Sequence, residues 1–373
     1  MLNMQKIVAF ICECNPFHEG HKRLIKCAKN EGDIIIAIMS GNFVQRGEVA
    51  VYDKYQRTKK LLKNGVSLVI ELPVEYSLSS AKYFASYSIS ILNKLKFVDK
   101  LIFGSEINDI HKLNELANKN LDLENNIDLK KYLKSGLSYS ASVAKIYNKN
   151  LSSNDILAVE YISAIKKSKS QILPICIKRD TALPTASELR KNIIPKISND
   201  VFSSILNYKL LLAKNNDYDL SNTYLMNDSL YNSIIKTATK NLTFTKRAEI
   251  LKSKNITLSN IKRVLLNIVI GINKQQVNTS ISKQKINYIR ILGVKKDFIT
   301  NLKYINVPFL LNYTNSAYKT LMKRFPKSKV ISQNKNGTFR LCPQIKLNVF
   351  ASDLYNYFAD IKFTEATTKT LII

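Results

Sequence analysis

Short apolar runs and amphipathic stretches alternate along the first half of the chain. Ile7 to Glu13, Asp33 to Met39, Ser67 to Leu72, Lys100 to Phe103 and Ile172 to Lys178 carry little polar interruption, the pattern of strands buried on both faces. Between them, His21 to Asn30, Asp53 to Asn64, Ser77 to Leu95 and Asn154 to Lys167 repeat apolar residues at helical spacing. Strands and helices in alternation predict an α/β fold with a parallel, doubly wound sheet. Ligands of such sheets bind beyond the carboxyl ends of the strands, where strand order reverses. After Pro195 the pattern changes. Ile205 to Lys214, Ser221 to Thr239, Leu258 to Asn273 and Lys296 to Tyr304 predict helices, with a few extended pieces such as Val307 to Leu311. The chain therefore divides into an α/β part, 1–195, and a mainly helical part, 196–373.

Composition adds a partner class to this outline. With 45% hydrophobic residues in 373, the chain buries a core, and wholesale disorder is excluded. Its 57 Lys and Arg against 28 Asp and Glu leave a formal charge of +29, which calls for a polyanion. Residues 231 to 350 hold 23 basic residues against two acids, Glu249 and Asp297, so the excess sits in the helical part. No apolar run nears the roughly 18 residues of a membrane span, and Ile7 to Cys12 is too short for a signal-peptide core. A cytoplasmic location and a nucleic-acid partner, with no membrane, are the expectation. The five scattered cysteines, with one C-x-C and no second pair, predict buried free thiols rather than zinc ligands or disulfides. Seven of the ten glycines lie at or before Gly136, so the loop-built site belongs to the first part.

The first strand runs into Glu13-Cys14-Asn15-Pro16-Phe17-His18-Glu19-Gly20-His21, and a helix follows at once. Two of the chain's three histidines fall in this turn. Exposed N–H groups and the helix dipole already attract phosphate there, and imidazoles can add hydrogen bonds to a nucleotide α-phosphate as charge builds on it. The blander alternative is a pair of capping or core histidines. The second strand ends in a glycine-bracketed loop in which Ser40, Gly41 and Arg46 could touch a substrate or phosphate, with Lys54 just beyond; a solvated helix face is the alternative for Lys54. The fourth strand ends in Phe103-Gly104-Ser105-Glu106.

Together these stretches resemble the tRNA(Met) cytidine acetate ligase family, of the H-x-G-H nucleotidyltransferase-like superfamily. The likeness covers Ile11 to His21, Met39 to Glu48, Val69 to Pro73 and Phe103 to Glu106, and returns in Asn154 to Tyr161, Ile177 to Arg179 and Thr185 to Arg190. A fainter echo is Tyr288 to Gly293. The resemblance implies a Rossmann-like nucleotidyltransferase domain. It implies ATP binding by Ile11, Cys12, Glu13, Cys14, Asn15, Pro16, Phe17, His18, Glu19, Gly20, His21, Lys22, Arg23 and Leu24, with Gly104, Asn154, Arg179 and Asp180, and catalysis around His18 and His21. It further implies activation of acetate as acetyl-adenylate, then acetylation of N4 of the wobble cytidine in elongator tRNA(Met). The chain departs from the family pattern at Cys14, Glu19, Val49, Ser153 to Asp155 and Thr185 to Ser187; Glu19 places an anion beside the expected phosphates.

Attack of a carboxylate on an α-phosphate needs positioning and charge neutralisation more than acid–base chemistry. The pyrophosphate usually travels with Mg²⁺, but no carboxylate cluster marks the metal's ligands, and no pattern marks an acetate site or an oligomer interface. In the basic part, Lys283, Lys285, Arg290, Lys323, Arg324 and Lys327 are the expected tRNA contacts. Tyr288, Tyr304, Tyr313, Tyr318 and Phe325 are interleaved with them; some could stack bases, but core positions suit most of them better. Two other functions remain open at this level: a small-molecule adenylyltransferase using the same histidines, and a non-catalytic tRNA- or ribosome-binding protein on a relic nucleotide fold.

Overall fold

A computed structural model of the chain describes residues 5–123, 126–135, 139–147, 151–180, 182–193, 195, 197–282 and 286–373. Five of its strands are the apolar runs: β1 (Ile7–Cys12), β2 (Ile34–Ser40), then β5 (Leu68–Leu72), β6 (Lys100–Ser105) and β7 (Leu173–Lys178). Between β2 and β5 a small hairpin joins β3 (Phe43–Val44) to β4 (Glu48–Val49). Every residue of β2 and β5 is buried, as strands covered by helices on both faces must be.

These five strands are parallel, in the order β5-β2-β1-β6-β7. The chain builds outward from β1 to β5 on one side, then returns to add β6 and β7 on the other. Strand order thus reverses between β1 and β6, which fixes where the crevice opens.

The basic part does not stay apart from this sheet. Residues 197–282 are helical or in loops, but β8 (Ile289–Val294) then enters antiparallel to β5. It carries β9 (Phe309–Leu310) and, near the C-terminus, β12 (Leu371–Ile372), so the order becomes β12-β8-β5-β2-β1-β6-β7, with β9 on β8. A separate hairpin pairs β10 (Ile331–Gln333) with β11 (Phe339–Leu341). The sheet therefore runs across the division expected near residue 195. Tyr288 to Gly293, whose apolar alternation is brief, is its most buried late element. Gly293 has a packing reason: a Cβ there would lie 2.5 Å from Thr58 Cγ2 and 2.7 Å from Leu62 Cδ1 on the helix Lys54–Lys63.

Two helices differ from expectation. The stretch Ser221 to Thr239 is helical only over Asp228–Ile235, because Leu225 takes a left-handed backbone (φ 66°) and Thr223 bridges Asn273. Lys296–Tyr304 winds as a 3₁₀ helix. All five cysteines are free, with Cys12 and Cys14 buried. Among the described residues, no helix is long and apolar enough to cross a membrane.

Candidate nucleotide-binding site

The site grows from the carboxyl end of β1. Its turn holds Cys14 in a left-handed conformation and a cis Asn15–Pro16 bond, and delivers the chain into the helix Glu19–Glu31. His18 is the cap of that helix. Its Nδ1 accepts from the Gly20 amide at 3.0 Å, while its own amide donates to Nδ1 of His21 at 3.2 Å. A reciprocal capping box is thereby built from two imidazoles. Because each Nδ1 is an acceptor, each neutral ring carries its proton on Nε2. The ring centroids are 4.0 Å apart, and Phe17 stacks on His21. Burial, then the neighbouring His21 and Arg179, holds His18 down to about 4. Gly20 lets the cap close: a Cβ there would sit 2.8 Å from His18 Cε1.

The opposite wall comes from the ends of β6 and β7. Arg179 pairs with Glu106 at 2.8 Å, and Glu106 also accepts from Asn154 Nδ2 at 2.9 Å and from Ser152 Oγ. A Cβ on Gly104 would meet Arg179 Cγ at 3.1 Å, so the glycine lets the arginine lie across the strand. Asp180 pairs with Arg23 at 3.2 Å, closing that wall onto the first helix.

Loops after β2 form the third side. Arg57, wholly buried, donates to the carbonyls of Glu13, Ser40, Gly41 and Tyr52 and so ties the end of β1 to that of β2. The Gln45 amide donates to Glu13 Oε1 at 2.7 Å, and the Gln45 carbonyl accepts from Arg263 at 3.0 Å. Arg190 donates to the Asn15 carbonyl at 2.8 Å and to Ser187 Oγ at 3.0 Å, with Arg46 also reaching Ser187 at 3.5 Å. Gly47 turns the hairpin with φ 75°, and a Cβ there would lie 2.6 Å from the Arg263 nitrogen. The helix Leu258–Ile270 therefore packs directly on the loop. Burial pushes the Glu13 carboxyl above its ordinary range, against the pull of the Gln45 amide and of Arg46, Arg190 and Arg57.

Between these walls is a cleft of about 1320 Å³. Ile11, Cys12, Glu13, Cys14, Asn15, His18, Gly20, His21, Arg23, Leu24, Arg46, Gly104, Asn154, Arg179 and Asp180 all line it. Pro16, Phe17, Glu19 and Lys22 belong to the same turn without lining the cleft; Glu19 is exposed and paired with Lys22 at 2.6 Å, so its charge is answered locally. Among the described residues, no three His, Cys, Asp or Glu side chains gather to hold a metal.

Three expected substrate contacts stand elsewhere. Lys54 is buried in a cluster with Glu71 (2.8 Å), Glu365 (2.9 Å) and Ser352, since a lysine at the start of that helix faces the sheet. Ser40 and Gly41 are buried beside it, and both carbonyls are taken by Arg57. Conversely, Arg190 and Arg263 carry the loop side of the cleft. Arg190 ends the Thr185 to Arg190 motif. Arg263 had only one signal, an arginine set between Ile261 and Val264 on the buried side of an apolar helix.

The basic surface is also redistributed. Arg290 lies on β8, 2% exposed, bonded to the Ile291 and Leu311 carbonyls and near Glu365; a central strand position removes it from any RNA. Arg324 donates to the carbonyls of Leu302, Lys303 and Ile305, capping a neighbouring segment. Lys323 and Lys327 are exposed. Lys283 and Lys285 lie outside the described residues. Tyr288, Tyr313 and Tyr318 are core, Phe325 packs against them, and Tyr304 is exposed.

Comparison with known proteins agrees with this geometry. The HIGH nucleotidyl transferase family model matches residues 4–195 and 182–370. A tRNA(Met) cytidine acetate ligase of Thermoanaerobacter sp. (strain X514) is 36% identical, covering 77% of this chain and 82% of its own. The protein of that name from Fusobacterium nucleatum is 32% identical over 89% of each. The crystal structure of Thermotoga maritima TmcAL bound with alpha-thio ATP superposes with a TM-score of 0.80 at 25% identity, covering 99% of both chains. With a paired-imidazole helix cap at the strand-order reversal and relatives of this similarity along most of its length, the chain belongs to the tRNA(Met) cytidine acetate ligase family of HIGH nucleotidyl transferases.

Proposed function

We propose that the chain is an ATP-dependent ligase that forms acetyl-adenylate from acetate and ATP, then acetylates N4 of the wobble cytidine in elongator tRNA(Met). The observation that carries this is the pair of Nε2–H imidazoles on a helix N-terminus at the β1/β6 crevice. A carboxylate oxygen of acetate attacks the α-phosphorus and pyrophosphate leaves. His18 and His21 donate to the α-phosphate oxygens as charge accumulates, the helix amides add to that field, and Arg179 and Arg46 neutralise the remaining phosphates. Mg²⁺, when bound, would travel with the triphosphate and screen its charge; among the described residues no carboxylate cage is dedicated to it. Exposed Lys323 and Lys327, with Lys283 and Lys285, are proposed to hold tRNA phosphates. The mixed anhydride is already activated, so acyl transfer needs no enzyme nucleophile.

Labelled ATP and acetate, incubated with and without bulk tRNA, test the reading. Acetate-dependent adenylate formation followed by label in tRNA is the expected result. Pyrophosphate release indifferent to acetate overturns it in favour of a different acceptor.

A further inference from the structure

We propose that Glu13 is the general base of the second half-reaction, taking the proton that cytidine N4 loses as it attacks the acetyl group. The assignment rests on the acetate ligase reading above and adds to it a residue role.

Elimination within the cleft begins the argument. The imidazoles are poor proton acceptors where substrate meets them, because both Nδ1 atoms already accept from backbone amides and both Nε2 atoms carry hydrogen. Of the cleft carboxylates, Glu106 has both oxygens taken, by Arg179 and Asn154 on one side and Ser152 on the other. Asp180 is paired with Arg23. Glu160 accepts from Asn120 at 3.3 Å on the side of the helix Ile110–Asp122. Glu160 thus keeps one oxygen unpartnered, as Glu13 does, but Glu13 stands in the same turn as the imidazoles: its Oε1 is fixed by the Gln45 amide at 2.7 Å, while Oε2 has no hydrogen-bond partner among the described residues and is not among the sealed-off polar atoms. It stands on the wall that also presents His18 and His21.

The anchoring is firm at both ends. Gln45 is itself held by Arg263, and the Glu13 carbonyl by Arg57 at 2.7 Å. One oxygen is therefore spent on position and the other is left for chemistry. The groups facing this carboxylate are Arg46 on the hairpin, Arg57, Arg190 and Arg263 on three helices, Cys12 on its own strand and Tyr161 on the helix Ser153–Lys167. Burial outweighs the arginines and raises its proton affinity, in the direction a base working near neutral pH requires.

The step balances without an added reactant. The N4–carbonyl carbon bond forms, the bond from that carbon to the phosphate oxygen breaks and AMP leaves as the oxyanion. One N4 proton passes to Glu13 Oε2 and then to solvent.

The test separates the two half-reactions. Acetate-dependent ATP–pyrophosphate exchange reads adenylation, and single-turnover transfer from preformed enzyme-bound acetyl-adenylate to tRNA reads the second step. For Glu13→Gln, transfer falls about a hundredfold more than exchange does, and Glu13→Asp recovers part of it. In the unmodified protein, transfer rises with pH through one ionisation above the usual carboxylate range of about 4.3; the Gln variant loses that rise. Equal losses in both steps, or a flat wild-type transfer profile, overturn the role of Glu13. The pH profile needs no variant, so a poorly folding Glu13→Gln protein does not spare the proposal. Failure of the ligase reading looks different: the unmodified protein then makes no acetyl-adenylate at all.

Discussion

Lys54 Nζ and Glu365 Oε1 lie 2.9 Å apart, joining the start of the second long helix to the last segment of the chain. Glu71 accepts from the same ammonium, Tyr55 donates to the same carboxylate, and Arg290 approaches it at 3.5 Å. Removing one member of a buried charge cluster leaves the others desolvated and unanswered. Glu365→Ala should lower the unfolding free energy by about 3–5 kcal/mol, measured by denaturant titration. A change below about 1 kcal/mol would show that the cluster adds little to stability.

His18 serves both helix and ligand, and the two roles can be separated. His18→Asn keeps a capping side chain, so stability should change by less than about 1 kcal/mol. Adenylation should fall about a hundredfold or more, since a donor aimed at the reacting phosphate is lost. Thermal melting and pyrophosphate exchange on one preparation decide this. Unimpaired exchange would reduce His18 to a cap.

The depressed proton affinity of His18, near 4 when folded against an ordinary 6.5, gives a signed pH dependence. The unfolded chain binds this proton first as pH falls, so the stability that neutral His18 permits is present above about 6.5 and lost down to about 4. Unfolding curves across that window should decline for the wild type and decline less for His18→Asn. Parallel curves would show that His18 titrates normally in the native state.

Among the basic residues, Lys323 and Lys327 are free to meet phosphate while Arg324 is committed to backbone carbonyls. The double change Lys323→Gln, Lys327→Gln should reduce the slope of log K against log salt for tRNA by about 1.5 to 2, with adenylation spared. Arg324→Gln should lower stability more than affinity. A reversal of these two outcomes would move the RNA contact onto Arg324.

The α/β half was legible because its strands are short apolar runs and its helices amphipathic; β1, β2, β5, β6 and β7, the five parallel strands, lie within two residues of their expected limits. The turn from Glu13 to His21 was legible for a related reason, since it concentrates two of three histidines between a strand and a helix. What escaped were contacts over long sequence separations. Lys54 and Arg290 look like surface cations in the sequence, yet each is buried against Glu365. Arg263 and Gln45 are 218 positions apart, and no local pattern announces that they share a bond. β8 was hidden by brevity, being six residues in a lysine-rich stretch.

The antiparallel seating of β8 against β5 makes the α/β half, 1–195, a poor candidate for separate existence. Cut at residue 195, the fragment would present β5, four of its five residues apolar, with half its backbone valences open, an adhesive seam for other copies of itself. The basic part is thus joined to the α/β half through one continuous sheet rather than tethered beside it.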